Sequence, residues 1–367
     1  MKNTFGNSVS LTLYGESHGP EVGAVLDGLA PGLSVDTAFI AAQMNKRRAK
    51  DGLSTGRTEE DEVVISSGVF EGRTTGTPIC FAIKNRNAHS HDYTATRQLA
   101  RPGHADYTAY CKYHGYEDYR GGGHFSGRIT AALVAAGAVA IQALASKGIH
   151  IGTHILRCGG VADRPFGDVA ADVAALSEMD FGVLDADASE GMKTAIRDAA
   201  KDGDSVGGIL ETAIVGLPAG VGEPWFDSFE SVMSHVLFSV PAVKGVEFGA
   251  GFGMADMRGS EANDPLRLDG DRVVTATNHN GGINGGVTNG MPVVFRCAVK
   301  PTPSIYKVQN TVDFITHEDK TIEIQGRHDP AIIHRARVVV DSAVALAVCD
   351  MLALRYGTDW IAQKEKD

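Results

Sequence analysis

Three histidines of this sequence stand in glycine-rich turns: His18 in Gly15-Glu-Ser-His-Gly19, His104 in Arg101-Pro-Gly-His104, and His328 in Gly326-Arg-His-Asp-Pro330. Imidazole titrates near neutrality, so each is a candidate general acid or base, although singly each reads as a turn residue that hydrogen-bonds the backbone. Three consecutive glycines, Gly121 to Gly123, lead through Ser126 into a long apolar stretch. Free backbone N–H groups and a helix dipole would converge there as an anion seat. Arg101, Arg120 and Arg128 flank it, which suits a ligand carrying several carboxylates or phosphates. The loop fits neither the Walker pattern nor the dinucleotide G-x-G-x-x-G, which argues against NTP hydrolysis and an ordinary Rossmann site. No G-x-S-x-G nucleophile elbow supports acyl transfer.

Other polar groups read more blandly. Spacing alone makes Arg47 and Arg48 a solvated helix end, and Glu59-Glu-Asp-Glu62 a solvated acidic face. His89-Ser-His91-Asp92 lacks an evident fourth ligand and is not taken as a metal site. Lys300-Pro-Thr-Pro-Ser304 is stiffened by its prolines; it either presents N–H and hydroxyl groups to a cofactor or is a plain loop.

These groups need elements to hold them. Val9, Leu11 and Leu13 alternate with Ser10 and Thr12 as a strand that runs into the His18 turn. Asp36 caps a helix through about Lys50, with Phe39, Ile40 and Met44 on its inner face. Strands follow at Val63 to Ile65 and Ile79 to Ile83. Helices are expected from about Gly127 to Lys147, Asp187 to Lys201, Ser228 to Phe238, and Arg335 to Tyr356. Gly72-Arg-Thr-Thr-Gly-Thr-Pro78 and Gly286-Val-Thr-Asn-Gly-Met-Pro292 share G-x-T-x-G-x-P, each before an apolar run. That is either convergent turn chemistry or the mark of two related halves sharing one core. No linker divides residues 1–367, which read as a single domain.

Composition bounds the function. The 367 residues carry 34 basic and 45 acidic side chains, a formal charge of −11, with 43% hydrophobic and 22% charged. That is a globular chain, too acidic for general attraction to nucleic acid or to an anionic membrane. An anionic small-molecule substrate must therefore be held by a local basic pocket. Glycine is in excess, 44 residues or about 12% against a typical ~7%, as many tight turns or close approaches would require. Five scattered cysteines without a C-x-x-C pair fit free thiols in a reducing compartment, and the N-terminus lacks the apolar core of a secretory signal, so the expected location is cytoplasmic. The apolar stretch Ile129 to Ala145 reads as a buried helix.

In order, and over nearly the whole chain, the motifs resemble chorismate synthases. The matching segments are Gly15-Glu-Ser-His-Gly19, Ser67-Gly-Val-Phe-Glu-Gly with Thr74-Thr-Gly-Thr-Pro-Ile79, Arg101-Pro-Gly-His-Ala-Asp-Tyr107, Asp118-Tyr-Arg-Gly-Gly-Gly123 and Gly203-Asp-Ser-Val-Gly207. They continue through Val215 to Pro224, Val243-Lys-Gly-Val-Glu247, Gly281-Gly-Ile-Asn-Gly-Gly286, Lys300-Pro-Thr-Pro-Ser-Ile305 and Gly326-Arg-His-Asp-Pro330. The resemblance implies an α+β chain folded as a βαβ sandwich with internal pseudo-two-fold symmetry, assembled as a homotetramer. It implies a lyase of the shikimate pathway, in aromatic amino acid biosynthesis, that removes phosphate from 5-enolpyruvylshikimate 3-phosphate with reduced FMN. Electrons for the flavin come from NAD(P)H on the same chain or from an external flavin reductase, and no motif settles which.

Carried onto this chain, the resemblance makes His18 the proton donor to the departing phosphate, His104 the group protonating reduced flavin near N1, and Asp329 the carboxylate assisting proton removal through flavin N5. It assigns Arg48, Arg101, Arg128 and Arg327, with Arg47 close by, to substrate anions. Ser126, Ala242, Gly285, Lys300, Pro301, Thr302, Pro303, Ser304 and Arg327 fall at flavin positions. His124, Phe125 and Pro241 also lie there but depart from the pattern: His124-Phe-Ser-Gly-Arg-Ile-Thr130 stands where the family reads Arg-Ser-Ser-Ala-Arg-Glu-Thr, and Pro241 replaces asparagine. Those departures motivate one rival, a non-catalytic or altered-specificity relative that binds a phosphorylated carboxylate. The other rival is a flavin-free phosphate lyase working through His18 and His104.

Overall fold

The computed structural model describes residues 2–48, 53–54, 61–86, 97–324 and 328–362. Two five-stranded antiparallel sheets enclose a layer of helices. The first sheet takes β1 (Thr4–Phe5), β2 (Ser10–Gly15), β3 (Glu21–Asp27), β4 (Val63–Ser67) and β5 (Ile79–Lys84), in the spatial order β1-β2-β3-β5-β4. The second takes β6 (His150–Cys158), β7 (Val161–Ala162), β8 (Gly208–Val215), β9 (Val243–Phe248) and β10 (Val293–Val299), in the order β9-β10-β8-β6-β7. Read from their matching edges, β2-β3-β5-β4 and β6-β8-β10-β9 are the same arrangement. The two G-x-T-x-G-x-P segments enter equivalent strands, β5 and β10.

Among the described residues the helices of eight residues or more are α1 (Thr37–Arg47), α2 (Asp106–Tyr113), α3 (Thr130–Ala145), α4 (Val169–Glu178), α5 (Ala186–Lys201), α6 (Phe229–Ser239) and α7 (Ile333–Tyr356). Asp36 caps α1 as its spacing requires, its carboxylate accepting from Ala38 N at 2.8 Å and Phe39 N at 3.2 Å. α3 lies on β3 and β5, α7 on β6 and β8, and the two cross each other. Their crossing is close because Gly137 faces Ser342; a Cβ there would overlap the Ser342 side chain. The Gly127–Ala145 segment is long and apolar enough to cross a membrane, yet 72% of its apolar window is buried in this core.

Two helices escape the sequence reading. α2 is polar and largely exposed, and α4 is a short helix whose inner face holds only Asp172, Val173 and Leu176, so neither carries a strong apolar period. Next to α2, the hairpin β11 (Gln309–Asp313) and β12 (Glu318–Ile322) pairs Asp313 with Leu99, and Thr311 Oγ1 donates to the Ala100 carbonyl. That hairpin fixes the chain entering the His104 turn. All five cysteines are unpaired.

Candidate active site

The site is assembled on loops between the first sheet and the helix layer. β2 ends at Gly15 with φ 95°, where a Cβ would overlap the Glu21 carbonyl of the neighbouring strand. The turn that follows carries His18, 7% exposed. It is stitched to the triglycine loop twice: Ser17 N donates to Gly123 O at 3.1 Å, and His124 Nδ1 donates to Gly15 O at 2.8 Å. Asn85, just past β5, spans the turn from outside, its Nδ2 donating to Glu16 O at 3.0 Å and Gly19 O at 2.9 Å.

The triglycine loop makes room before it does anything else. Gly121, Gly122 and Gly123 all have positive φ (58°, 82° and 53°). A Cβ at Gly121 would overlap His18 Cε1, and one at Gly122 would lie 2.8 Å from His104 Cε1. Adjoining glycines therefore pack against the two histidines, and no other residue fits either place. Ser126 then caps the turn Gly127–Ile129 that leads into α3, its Oγ accepting from Arg128 N at 3.3 Å.

The three flanking arginines are each held by a carboxylate. Arg101 donates from Nε to Asp106 Oδ2 at 2.8 Å and from Nη2 to Oδ1 at 2.6 Å. Arg120 makes the same fork to Asp118, at 2.8 and 2.7 Å. Arg128 pairs with Asp61. The reason is desolvation: a partly buried guanidinium without a counter-charge is costly. Burial works to raise the Asp106 carboxyl, but hydrogen bonds from Arg101 and His104 outweigh it and hold Asp106 well below the usual carboxylate range. The Arg120 hydrogen bond likewise lowers Asp118.

Two bland readings fall here. Arg47 is not a solvated helix end: it is 7% exposed, with Nε on Thr130 Oγ1 at 3.0 Å, Nη1 on Asp61 Oδ2 at 3.2 Å and Nη2 on Gly127 O at 3.0 Å. Asp61 is not part of a solvated acidic face; its side chain is 2% exposed between Arg47 and Arg128. Arg48 has a buried Nε without an acceptor.

Asp329 accepts from Arg335 Nη1 at 2.6 Å, and Arg335 Nε donates to the Arg47 carbonyl at 2.8 Å, which brings Asp329 to the end of α1. His328 packs on Tyr306, ring centroids 5.0 Å apart. Burial pushes its imidazole below the ordinary value, a backbone bond to Ile324 O opposes this, and nearby Arg101 adds to it. Lys300 Nζ donates to the Gly103 carbonyl, and a Cβ at Gly103 would lie 3.3 Å from Pro303, so the Lys300–Ser304 segment rests on the His104 turn. Lys300 N bonds Ala242 O at 3.0 Å, and Ala242 itself has φ 76°. Ser205 Oγ anchors Thr302 O at 2.7 Å, while Thr302 Oγ1 is buried without a partner. Ser304 is buried; Pro241 and Pro301 are exposed.

A cavity of about 380 Å³ opens beside the loop, lined among others by His104, Gly122, His124, Phe125, Tyr113 and Phe314. Gly285 lies at the other end of α6 from Pro241 and Ala242. It adjoins Gly286, whose carbonyl accepts from Phe229 N at the start of α6, whereas Pro241 and Ala242 follow the other end of that helix. Arg327, and the histidines of His89-Ser-His91-Asp92, lie outside the described residues.

Sequence reasoning missed Asp61, Asn85, Asp106 and Arg335. Asp106 sat in a quoted motif and could have been found as the orienting carboxylate of His104. Asp61 was hidden in an acidic run, and Asn85 and Arg335 carried no pattern at all.

Comparison with known proteins gives a consistent result. The family model described as chorismate synthase matches residues 9–353. The chain is 46% identical over 350 residues to a chorismate synthase of Thermococcus kodakarensis, covering 95% of this chain and 97% of that one. It is 44% identical over 360 residues to one of Dehalococcoides mccartyi, covering 97% and 98%. A crystal structure of a chorismate synthase superposes with a TM-score of 0.77 at 26% identity, over 98% of this chain and 95% of that one.

Proposed function

The chain belongs to the chorismate synthase family, and from that premise we propose that its site eliminates phosphate from 5-enolpyruvylshikimate 3-phosphate to form chorismate in the shikimate pathway, with reduced FMN as cofactor. The observation that carries the reading is the placement of His18 and His104 on adjoining glycines of one loop, with Asp329 and the arginines at the end of α1 on its border. In the reaction the C–O bond to phosphate breaks with its electron pair on the leaving group, a C–H proton is lost, and a second ring double bond forms. His18 supplies a proton as phosphate departs, which stabilises a charge that grows only as the bond breaks. Arg48, with a buried donor lacking an acceptor, is the readiest ligand for a substrate anion. Arg101, Arg128 and Arg47 supply the surrounding positive field, and Arg327 stays in the substrate and flavin sets by resemblance.

Features of the chain fit a flavin. The buried Thr302 hydroxyl lacks a partner, the Lys300 ammonium lies on the His104 turn, and the cavity beside His104 has aromatic walls in Phe125 and Tyr113. Ser126, Pro241, Ala242, Pro301, Pro303 and Ser304 complete that set, with Gly285 retained by resemblance alone. When bound, reduced flavin supplies electron density for C–O cleavage and a basic ring nitrogen. His104, the group that protonates the reduced flavin by resemblance, turns its Cε1 and Nε2 edge toward Gly122, and Asp329, tied to Arg335, draws the substrate proton's path toward the end of α1. We read the chain as one domain of two related halves, assembled as a homotetramer in the cytoplasm, with its flavin reduced by NAD(P)H on the chain or by an external reductase. A binding-only relative is not favoured, because the family model and the named relatives span nearly the whole chain, and His124, at a departing position, still holds the loop to Gly15.

The deciding experiment is anaerobic phosphate release and chorismate formation with reduced FMN, oxidised FMN and no flavin in parallel. Turnover with reduced FMN alone is expected. Equal turnover without flavin, or substrate binding with no turnover at all, overturns the reading.

A further inference from the structure

Asp61 joins elements that are far apart in the chain. Its Oδ2 accepts from Arg47 Nη1 at 3.2 Å and its Oδ1 accepts from Arg128 Nη1, with both arginine side chains only 8% exposed. Two buried cations this close repel each other, and each is costly to desolvate. One carboxylate between them removes half of that charge and, by giving one oxygen to each, fixes their separation. The link continues outward on both sides. Arg47 also holds Thr130 Oγ1 and Gly127 O at the start of α3, while Arg128 holds Asn85 Oδ1 at 2.9 Å, and Asn85 in turn clasps the His18 turn at Glu16 O and Gly19 O. The end of α1, the start of α3, the end of β5 and the His18 turn therefore meet through Asp61.

Next to this clamp lies a group with different prospects. Arg47 spends donors on protein acceptors, whereas Arg48, one residue on, keeps a buried Nε without one. A buried guanidinium N–H left unmade is expensive unless a ligand completes it. We propose that Asp61 is the positioning residue of the substrate-anion site: by clamping Arg47 and Arg128 it holds the end of α1, and with it the Arg48 donor, against the His18 turn so that one phosphorylated carboxylate is gripped from both sides. Asp61 itself touches no substrate. The inference rests on the lyase reading above for the identity of that anion.

The test compares wild type with Asp61→Asn and Asp61→Glu, measuring calorimetric affinity for 5-enolpyruvylshikimate 3-phosphate and the KM and kcat of chorismate formation with reduced FMN, at a temperature where circular dichroism shows every variant folded. Asp61→Asn should weaken substrate affinity and raise KM at least tenfold while kcat falls less than threefold. Asp61→Glu, which keeps the charge but shifts it by one methylene, should lie between. A role in stability alone would lower the unfolding temperature and leave KM and affinity at wild-type values in the folded protein, which overturns the proposal. So does a fall in kcat at unchanged KM. If Asp61→Asn does not fold, Asp61→Glu decides by the same criteria. A wild type that binds the substrate but does not turn it over removes the lyase reading and leaves the affinity comparison to judge Asp61 separately.

Discussion

His104 Nδ1 lies 3.1 Å from Asp106 Oδ1, the oxygen that also accepts the 2.6 Å bond from Arg101. The carboxylate fixes which ring nitrogen is turned inward and leaves the Cε1 and Nε2 edge facing Gly122. Arg101 keeps Asp106 ionised, so Nδ1 meets a carboxylate on that side, with Arg101 Nη2 also 3.1 Å away. Replacing Asp106 with asparagine keeps the shape but removes the charge that orients the ring and holds Arg101 beside it. The expected outcome is a kcat lower by roughly 10- to 100-fold, within the range of acid–base contributions, with the substrate KM within about threefold. Steady-state kinetics under anaerobic conditions check this, and an unchanged kcat would remove His104 from the chemistry.

The Gly121 position admits no side chain. Its φ is 58°, and a Cβ would occupy the space of the His18 imidazole and come 3.0 Å from Ser17 Oγ. Gly121→Ala should therefore displace His18 and lower kcat by about 100-fold or more. The fold should survive, since the loop stands outside the main apolar core. A control at Gly127, where a Cβ meets nothing within 4 Å, should keep most of its activity. Equal losses at the two glycines would mean that room for His18 is not what Gly121 provides.

How much of this was legible in the sequence depended on the period of each element. α3 and α7 are long and apolar with clear stops at Gly148 and Gly357, both of positive φ, and their bounds were readable to within a few residues. α2 was not, because its residues alternate between ring contacts and solvent and its best-defined residue, Asp106, is spent on Arg101 and His104. The histidines and glycines of the site were legible because turn chemistry restricts residue type. Asp61 was not, since a buried carboxylate between two arginines has the same local sequence as an exposed one in an acidic run. Arg47 shows the converse: a helix-end arginine reads as solvated until the chain returns, some 80 residues later, with the Gly127 carbonyl and Thr130 hydroxyl that bury it.

The three histidines of the site have different work, and alanine substitutions separate them. His18→Ala and His104→Ala should each lower kcat by about 100-fold or more with substrate affinity within a few-fold. His124 lines the cavity and donates to the Gly15 carbonyl, a bond worth about 1 kcal/mol net, so His124→Ala should cost less than tenfold in kcat/KM. Parallel kinetics and calorimetry on the three variants test the order. A loss at His124 equal to that at His18 would assign His124 a direct part in the reaction.

Behind α1, Asp341 supplies a pH dependence that the site itself does not. It accepts from Thr153 Oγ1 at 2.6 Å and is faced by Arg337 and Lys46, whose charges favour its ionised form. Burial nonetheless dominates and pushes the carboxyl up to about 6. Arg337 Nη1 donates to Leu176 O at 3.1 Å and Lys46 Nζ to Ser177 O at 2.5 Å, so the same cations are spent on the carbonyl end of α4. A carboxyl raised above its unfolded value favours the native state fully only below that value, near 4, and this contribution is lost as pH rises to about 6. An unscreened shift of this size corresponds to about 3 kcal/mol, and residual solvent contact reduces it. Asp341→Asn does not titrate, so wild type should lose ground to the variant between pH 4 and pH 7 by an amount on the order of 1–2 kcal/mol, whatever their offset at pH 4. Urea unfolding of both at pH 4, 5, 6 and 7, at one protein concentration, reads this difference. A constant offset across the series would show that Asp341 ionises at its ordinary value and that Arg337 and Lys46, rather than burial, govern it.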